Sequence, residues 1–119
     1  MQIYFPGSEI TIDWTAGFSN SSAQYLEVQV QPDLPSGCSI TLSFEWERNH
    51  NVYSLPDQKA FDDCDFSGAH LLGDKSPTKS KLLTSCQLGQ PITHYFACKV
   101  GAHCVAGQKL SVFIGNMKF

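Results

Sequence analysis

Alternation with period two runs through this chain. In SITLSFEWE, residues 39–47, Ile40, Leu42, Phe44 and Trp46 fall on one face and Thr41, Ser43, Glu45 and Glu47 on the other, the signature of a half-buried strand. KLSVFI (109–114) repeats the pattern with Leu110, Val112 and Ile114, and EITIDW (9–14) and YLEVQVQ (25–31) repeat it near the N-terminus. HYFAC (94–98) reads as a further short strand. Between these runs lie QPDLPSG, SLPD, GDKSPTKS and QLGQP, each punctuated by turn-forming residues. Only residues 56–72, PDQKAFDDCDFSGAHLL, have room for a helical turn or two. Short strands with frequent turns predict an all-β domain, an antiparallel sandwich or barrel.

The same parity points to chemistry, because residues two apart in a strand face the same way. Carried forward from Trp46 through Arg48, the apolar face of 39–47 reaches His50; carried back from Leu110, that of 109–114 reaches Gln108. Cys98 shares a face with Phe96 and His94. If the strands run that far, an imidazole, an amide and a thiol point inward at strand ends. Such groups are costly to bury unsatisfied, and a metal ion would satisfy them.

Two histidines and one cysteine with a weak axial oxygen donor form the trigonal ligand set of a blue-copper site. Cys98, His103 and Gln108 stand at two equal steps of five in HYFACKVGAHCVAGQKL (94–110), with Cys104 directly after the histidine. The chain must reverse twice to bring these groups to one ion, and Gly101 and Gly107 permit the tight backbone this needs. The thiolate suits Cu(I), and imidazole suits both oxidation states. His70 and His94 are read as structural or exposed, not as ligands.

Composition narrows the picture. The chain has 119 residues, 42% hydrophobic and 16% charged, which predicts one folded domain spanning 1–119. A net charge of −3 with scattered basic residues argues against nucleic acid as a partner, since phosphate recognition needs clustered Lys and Arg. The modest Lys75, Lys79, Lys81 group reads as a solvated loop. No apolar run approaches the roughly 20 residues that cross a bilayer. MQIYFPGSEITID lacks the order of a signal peptide, so Met1 is expected to open a mature domain. Five cysteines are present, Cys38, Cys64, Cys86, Cys98 and Cys104; the odd count leaves at least one outside any intramolecular disulfide. If the other four pair, the compartment is oxidising. The absence of C-x-x-C spacing disfavours a zinc site.

HNV at 50–52, AFDDC at 60–64 and HYFACKVGAHCVAGQKL at 94–110 together resemble the phytocyanins, a branch of the cupredoxins, from about residue 39 onward. The resemblance implies a cupredoxin-like antiparallel Greek-key β-sandwich with at most one short helix. It implies one type 1 copper ion with His50, Cys98 and His103 as equatorial ligands and Gln108 as the axial one, similar to the stellacyanin subgroup. It also implies a Cys64–Cys104 disulfide near the metal; with those cysteines and Cys98 assigned, Cys38 and Cys86 are inferred to pair. The extra cysteines, and SGCSITL where the family carries a Gly-Asp, set the N-terminal third apart from the usual members.

The function expected is one-electron transfer by a non-enzymatic monomer, with a transient redox protein or small redox molecule as partner. Its location is expected to be extracellular or in the secretory pathway, with a membrane anchor in the precursor known among relatives. A copper oxidase is disfavoured because the trinuclear cluster of multicopper oxidases needs His-x-His pairs, and the sequence has none. A copper carrier or cell-surface binding module on the same fold is the alternative.

Overall fold

A computed structural model describes residues 3–14, 24–31, 39–47, 49–74, 79–85 and 91–116. Two sheets enclose one core. Strands β1 (Ile3–Tyr4), β3 (Tyr25–Val30), β9 (Lys109–Asn116), β8 (Ile92–Ala97), β5 (Val52–Leu55) and β6 (His70–Gly73) form a six-stranded sheet in the order β1-β3-β9-β8-β5-β6. Strands β2 (Ser8–Asp13), β4 (Ser39–Glu45) and β7 (Lys79–Ser85) form a three-stranded sheet in the order β2-β4-β7. One short helix, α1 (Gln58–Asp63), lies between β5 and β6 among the described residues.

The alternating runs supply the core between the sheets. Ile10, Ile12 and Trp14, then Ile40, Leu42, Phe44 and Trp46, then Val28 and Val30, then Leu110, Val112 and Ile114 are all buried in one cluster. Trp14 meets Phe44 edge-on with ring centroids 5.3 Å apart, and Phe44 meets Phe96 at 4.8 Å, the T-shaped geometry that the ring quadrupoles favour. Each predicted strand is present, within a residue or two at its ends.

The expectation of a purely antiparallel sheet is corrected: the topology is mixed. β1 with β3, β2 with β4 and β3 with β9 all pair in parallel, while β4·β7, β5·β6, β5·β8 and β8·β9 are antiparallel. Between β2 and β4 the chain visits the other sheet as β3. It therefore returns to lie beside β2 by a crossover and not by a hairpin, which is what parallel pairing requires. Side-chain alternation reports which face is buried and carries no information on the direction of a neighbour. The segment GDKSPTKS, read as a turn, in fact ends in β7, so the backbone of Lys79 and Lys81 is strand and not loop.

Helix α1 is held at both ends. Asp57 caps it, its side chain accepting from the Ala60 N–H at 2.9 Å. At the other end Lys109 Nζ donates to the Phe61 carbonyl at 2.8 Å and lies over the Phe61 ring, placing a cation where the helix leaves carbonyls without partners. Ala60 and Phe61 join Leu55, Ala97 and Cys104 in a second, smaller buried cluster.

Cys38 and Cys86, inferred to form a disulfide, lie outside the described residues. Their chain neighbours Ser39 and Ser85 are the terminal register partners of the β4–β7 ladder. The pairing therefore remains our proposal. The expected result is a single reactive thiol, that of Cys98, when the unreduced chain is denatured and titrated with a thiol reagent; three thiols would exclude the second bridge.

Candidate metal centre

The site forms where strands stop. β4 ends at Glu45 and β5 begins at Val52, so the chain crosses from one sheet to the other through a segment that holds His50. Asn49, in the left-handed region at φ 69°, a conformation asparagine tolerates better than most residues, turns the chain just before it. Cys98 directly follows β8 and Gln108 directly precedes β9, and these two strands are antiparallel neighbours. Residues 98–108 are thus the connection at one end of a hairpin. The candidate ligands stand just past the strand ends, and the facing rule nonetheless placed Cys98 and Gln108 inward: both are 0% exposed.

That connection is wound tightly on itself. His103 N–H donates to the Val100 carbonyl at 3.0 Å, Ala106 N–H to Ala102 at 2.9 Å, Gly107 N–H to Cys104 at 2.9 Å and Gln108 N–H to His103 at 2.9 Å. The Cys98 N–H closes it by donating to the Gln108 carbonyl at 3.1 Å. Gly101 and Gly107 both have positive φ, 51° and 114°, at the two reversals expected from the sequence. A Cys64–Cys104 disulfide, spanning 40 residues, ties the loop to the end of α1.

Three side chains converge. Cys98 Sγ lies 3.4 Å from His103 Nδ1, and His103 Nδ1 lies 3.3 Å from His50 Nδ1. The ligand atoms of His50, Cys98 and His103 are all within 4.8 Å of one another, and they form the one such group of metal-binding side chains found among the described residues. Burial holds the His50 imidazole below the ordinary histidine range, and neighbouring His103 pushes the same way; its lone pair is free near neutral pH. The Gln108 amide lies close enough to His50 to oppose that shift, yet neither its Oε1 nor its Nε2 makes a hydrogen bond of acceptable geometry.

A buried thiol outside any disulfide, two half-buried imidazoles and an orphaned buried amide are a donor set that fits a thiophilic metal ion. Leaving a buried amide unsatisfied costs on the order of 1–3 kcal/mol, so Gln108 is tolerated most easily where something supplies its missing partner. The other histidines stand apart. His70 is exposed on β6, and His94 stacks on Phe96 with ring centroids 6.1 Å apart, its pKa lowered by burial alone.

Residues 39–108 match the family described as the plastocyanin-like domain. The chain belongs to that family. Cucumber peeling cupredoxin, from Cucumis sativus, is 37% identical over 73 residues, 60% of this chain and 50% of its own; the chain spans half the length of that relative. Cucumber stellacyanin, solved in its Cu2+ form at pH 7.0, is 32% identical over 66% of this chain and 68% of its own, with a TM-score of 0.48. Spinach plantacyanin superimposes over 92% of this chain and 99% of its own at 19% identity, with a TM-score of 0.54, a likeness of fold. The chain is a phytocyanin-like cupredoxin.

One supporting residue of this cupredoxin was not singled out from the sequence. Asn51, buried next to His50, accepts from the Lys99 N–H through Oδ1 at 2.7 Å, and its carbonyl accepts from Trp14 Nε1 at 2.9 Å. It thereby fastens the His50 segment both to the residue after Cys98 and to the end of β2. The available signal was a polar residue set between a candidate ligand and the apolar Val52. Asn51→Ala is expected to destabilise the chain by about 1–3 kcal/mol, because the Lys99 N–H loses its acceptor. Lys99→Ala, which keeps that N–H, should cost much less. Urea denaturation of both variants checks the contrast.

Proposed function

We propose that this cupredoxin carries single electrons through one copper ion, held by His50 Nδ1, Cys98 Sγ and His103 Nδ1 with the Gln108 amide oxygen as a weak fourth donor. The observation that carries the reading is the convergence of a buried, unbridged thiol and two imidazole nitrogens within 4.8 Å on a loop locked by its own hydrogen bonds. Bound copper supplies a one-electron couple between Cu(II) and Cu(I).

The chain does the rest. Cys98 gives its thiol proton to solvent on ligation, as thiols do when they bind metal. His50 is kept neutral by burial. Cys98 and Gln108, both fully buried, exclude water from their side of the site. Asn51 and the Cys64–Cys104 bridge hold the two ligand-bearing segments at fixed separation, which limits rearrangement when the charge of the site changes. We read the protein as a carrier and not an enzyme.

His103 offers the outlet. It is half-buried, and Gly101, Ala102, Val105 and Ala106 around it are exposed, Val105 at 82%. An uncharged skin of this kind suits the small, short-lived contact of a redox encounter. The disulfide favours an oxidising compartment, the secretory route or the cell exterior. No helix among the described residues is long and apolar enough to cross a membrane.

The test is a copper titration followed by voltammetry. One equivalent of Cu(II) is expected to give an intense visible absorption, and reduction and reoxidation should cycle without loss of metal. A colourless product overturns the reading, and release of copper to an acceptor on reduction points to a carrier of metal instead. The role of Gln108 as a donor is tested separately by Gln108→Met. Exchanging a hard oxygen donor for a thioether should stabilise Cu(I) by tenfold or more, which is about 59 mV or more upward for a one-electron couple.

A further inference from the structure

Gln108 is fully buried, yet its side-chain amide makes no hydrogen bond of acceptable geometry. No such bond to the described residues aims the amide, so its direction into the site is set by its backbone. Four hydrogen bonds hold the two peptide planes that flank the Gln108 Cα. The Gly107 carbonyl accepts from the Lys109 N–H at 2.8 Å and from Gln24 Nε2 at 3.2 Å. On the other side of that plane the Gln108 N–H donates to the His103 carbonyl at 2.9 Å, and the Gln108 carbonyl accepts from the Cys98 N–H at 3.1 Å.

Three of these bonds arise within residues 98–109 and move with the loop. The fourth comes from a distant strand. Gln24 stands directly before β3, the parallel neighbour of β9, and is itself gripped by that neighbour, since Ser111 Oγ donates to its carbonyl at 3.3 Å. Its amide reaches past Lys109 to Gly107, which has φ 114° and no side chain to restrict its peptide. The Lys109 N–H already satisfies the Gly107 carbonyl, closing a three-residue turn centred on Gln108. What Gln24 adds is therefore direction more than stability.

We propose that Gln24 is a positioning residue of the metal centre: by holding the Gly107 carbonyl against β3 it fixes the path on which the Gln108 amide enters the site. The inference rests on the reading of Gln108 as a copper donor. Gln24 lies outside residues 39–108, the part matched by the family, so this hold is a feature of the N-terminal third of the chain.

Gln24→Met keeps the length of the side chain and removes the donor. In the metal-free variant the Gln108 side-chain amide signals of a proton–nitrogen spectrum are expected to shift or broaden. The Gln108 N–H should exchange with deuterium roughly fivefold faster, the worth of one net hydrogen bond, while amides of β4 exchange as in the parent. Cu(II) affinity should fall by roughly tenfold, the lower end of what loss of an outer partner costs. In a Gln108→Leu background the same substitution should change that affinity by less than about twofold, because a residue that acts through Gln108 has nothing left to position. The proposal is overturned by amide signals and exchange that match the parent, by β4 amides that quicken as much as Gln108, or by an equal loss of affinity in the Gln108→Leu background. A parent chain that takes up no copper would overturn the copper reading and, with it, the link from Gln24 to the metal, whereas the metal-free spectra still decide whether Gln24 directs Gln108.

Discussion

Cys98→Ser is expected to abolish the visible absorption of the copper-loaded protein and to weaken copper binding by more than a hundredfold. Loss of an outer partner of a metal ligand alone typically costs 10–100-fold, and here the soft ligand itself is removed. A serine hydroxyl does not ionise near neutral pH and offers a hard oxygen where Cu(I) calls for sulfur. The fold should survive. The Cys98 contact with Gln108 runs through the backbone N–H, and the side chain changes by a single atom. Absorption spectra and competition with a copper chelator measure the two effects. A visible band that persists in the variant would assign the thiolate elsewhere, and Cys64 and Cys104 are already bridged to each other.

The reason so much of this site could be read from sequence is that its constraints are local. Cys98, His103 and Gln108 sit on one connection of eleven residues, 98–108, and two glycines mark its reversals. The apolar faces of β4 and β9 were equally legible because apolar residues repeat at every second position, Ile40, Leu42 and Phe44 in one and Leu110, Val112 and Ile114 in the other. What escaped was decided between distant segments. The parallel pairing of β2 with β4 depends on a crossover through the other sheet, and the anchoring of His50 by Asn51 depends on Lys99, 48 positions away. Strands β5 and β6 escaped for another reason. They have four residues each, and β5 runs straight into Pro56, so turn signals overwrite the alternation there. His50 shows both sides of this: parity reached it by counting through Arg48, yet β4 stops at Glu45, and the turn at Asn49 sets its position.

Replacing the Cys64–Cys104 bridge by two alanines is expected to lower the stability of the metal-free chain by about 4 kcal/mol, the closure entropy of a 40-residue loop. At the midpoint this is a fall of roughly 10–20 °C for a domain of this size. Both cysteines must be changed together, since a lone thiol at Cys64 or Cys104 would bring a second sulfur close to His103. The loss should not be confined to stability. Cys104 follows His103 directly, so the bridge fixes the histidine's loop to α1. Without it, the ties to the helix region that remain among the described residues are the Lys109 bonds to the Phe61 and Asp62 carbonyls and the small cluster of Leu55, Ala60, Phe61 and Ala97. Copper affinity should therefore fall as well, though less than in Cys98→Ser, because every ligand remains. Thermal melts with and without copper separate the two terms. A fall under about 1 kcal/mol in the metal-free chain would mean that the cluster and Lys109 already hold the denatured ensemble together or the native helix in place; the bridge would then add little to the loop entropy on which the estimate rests.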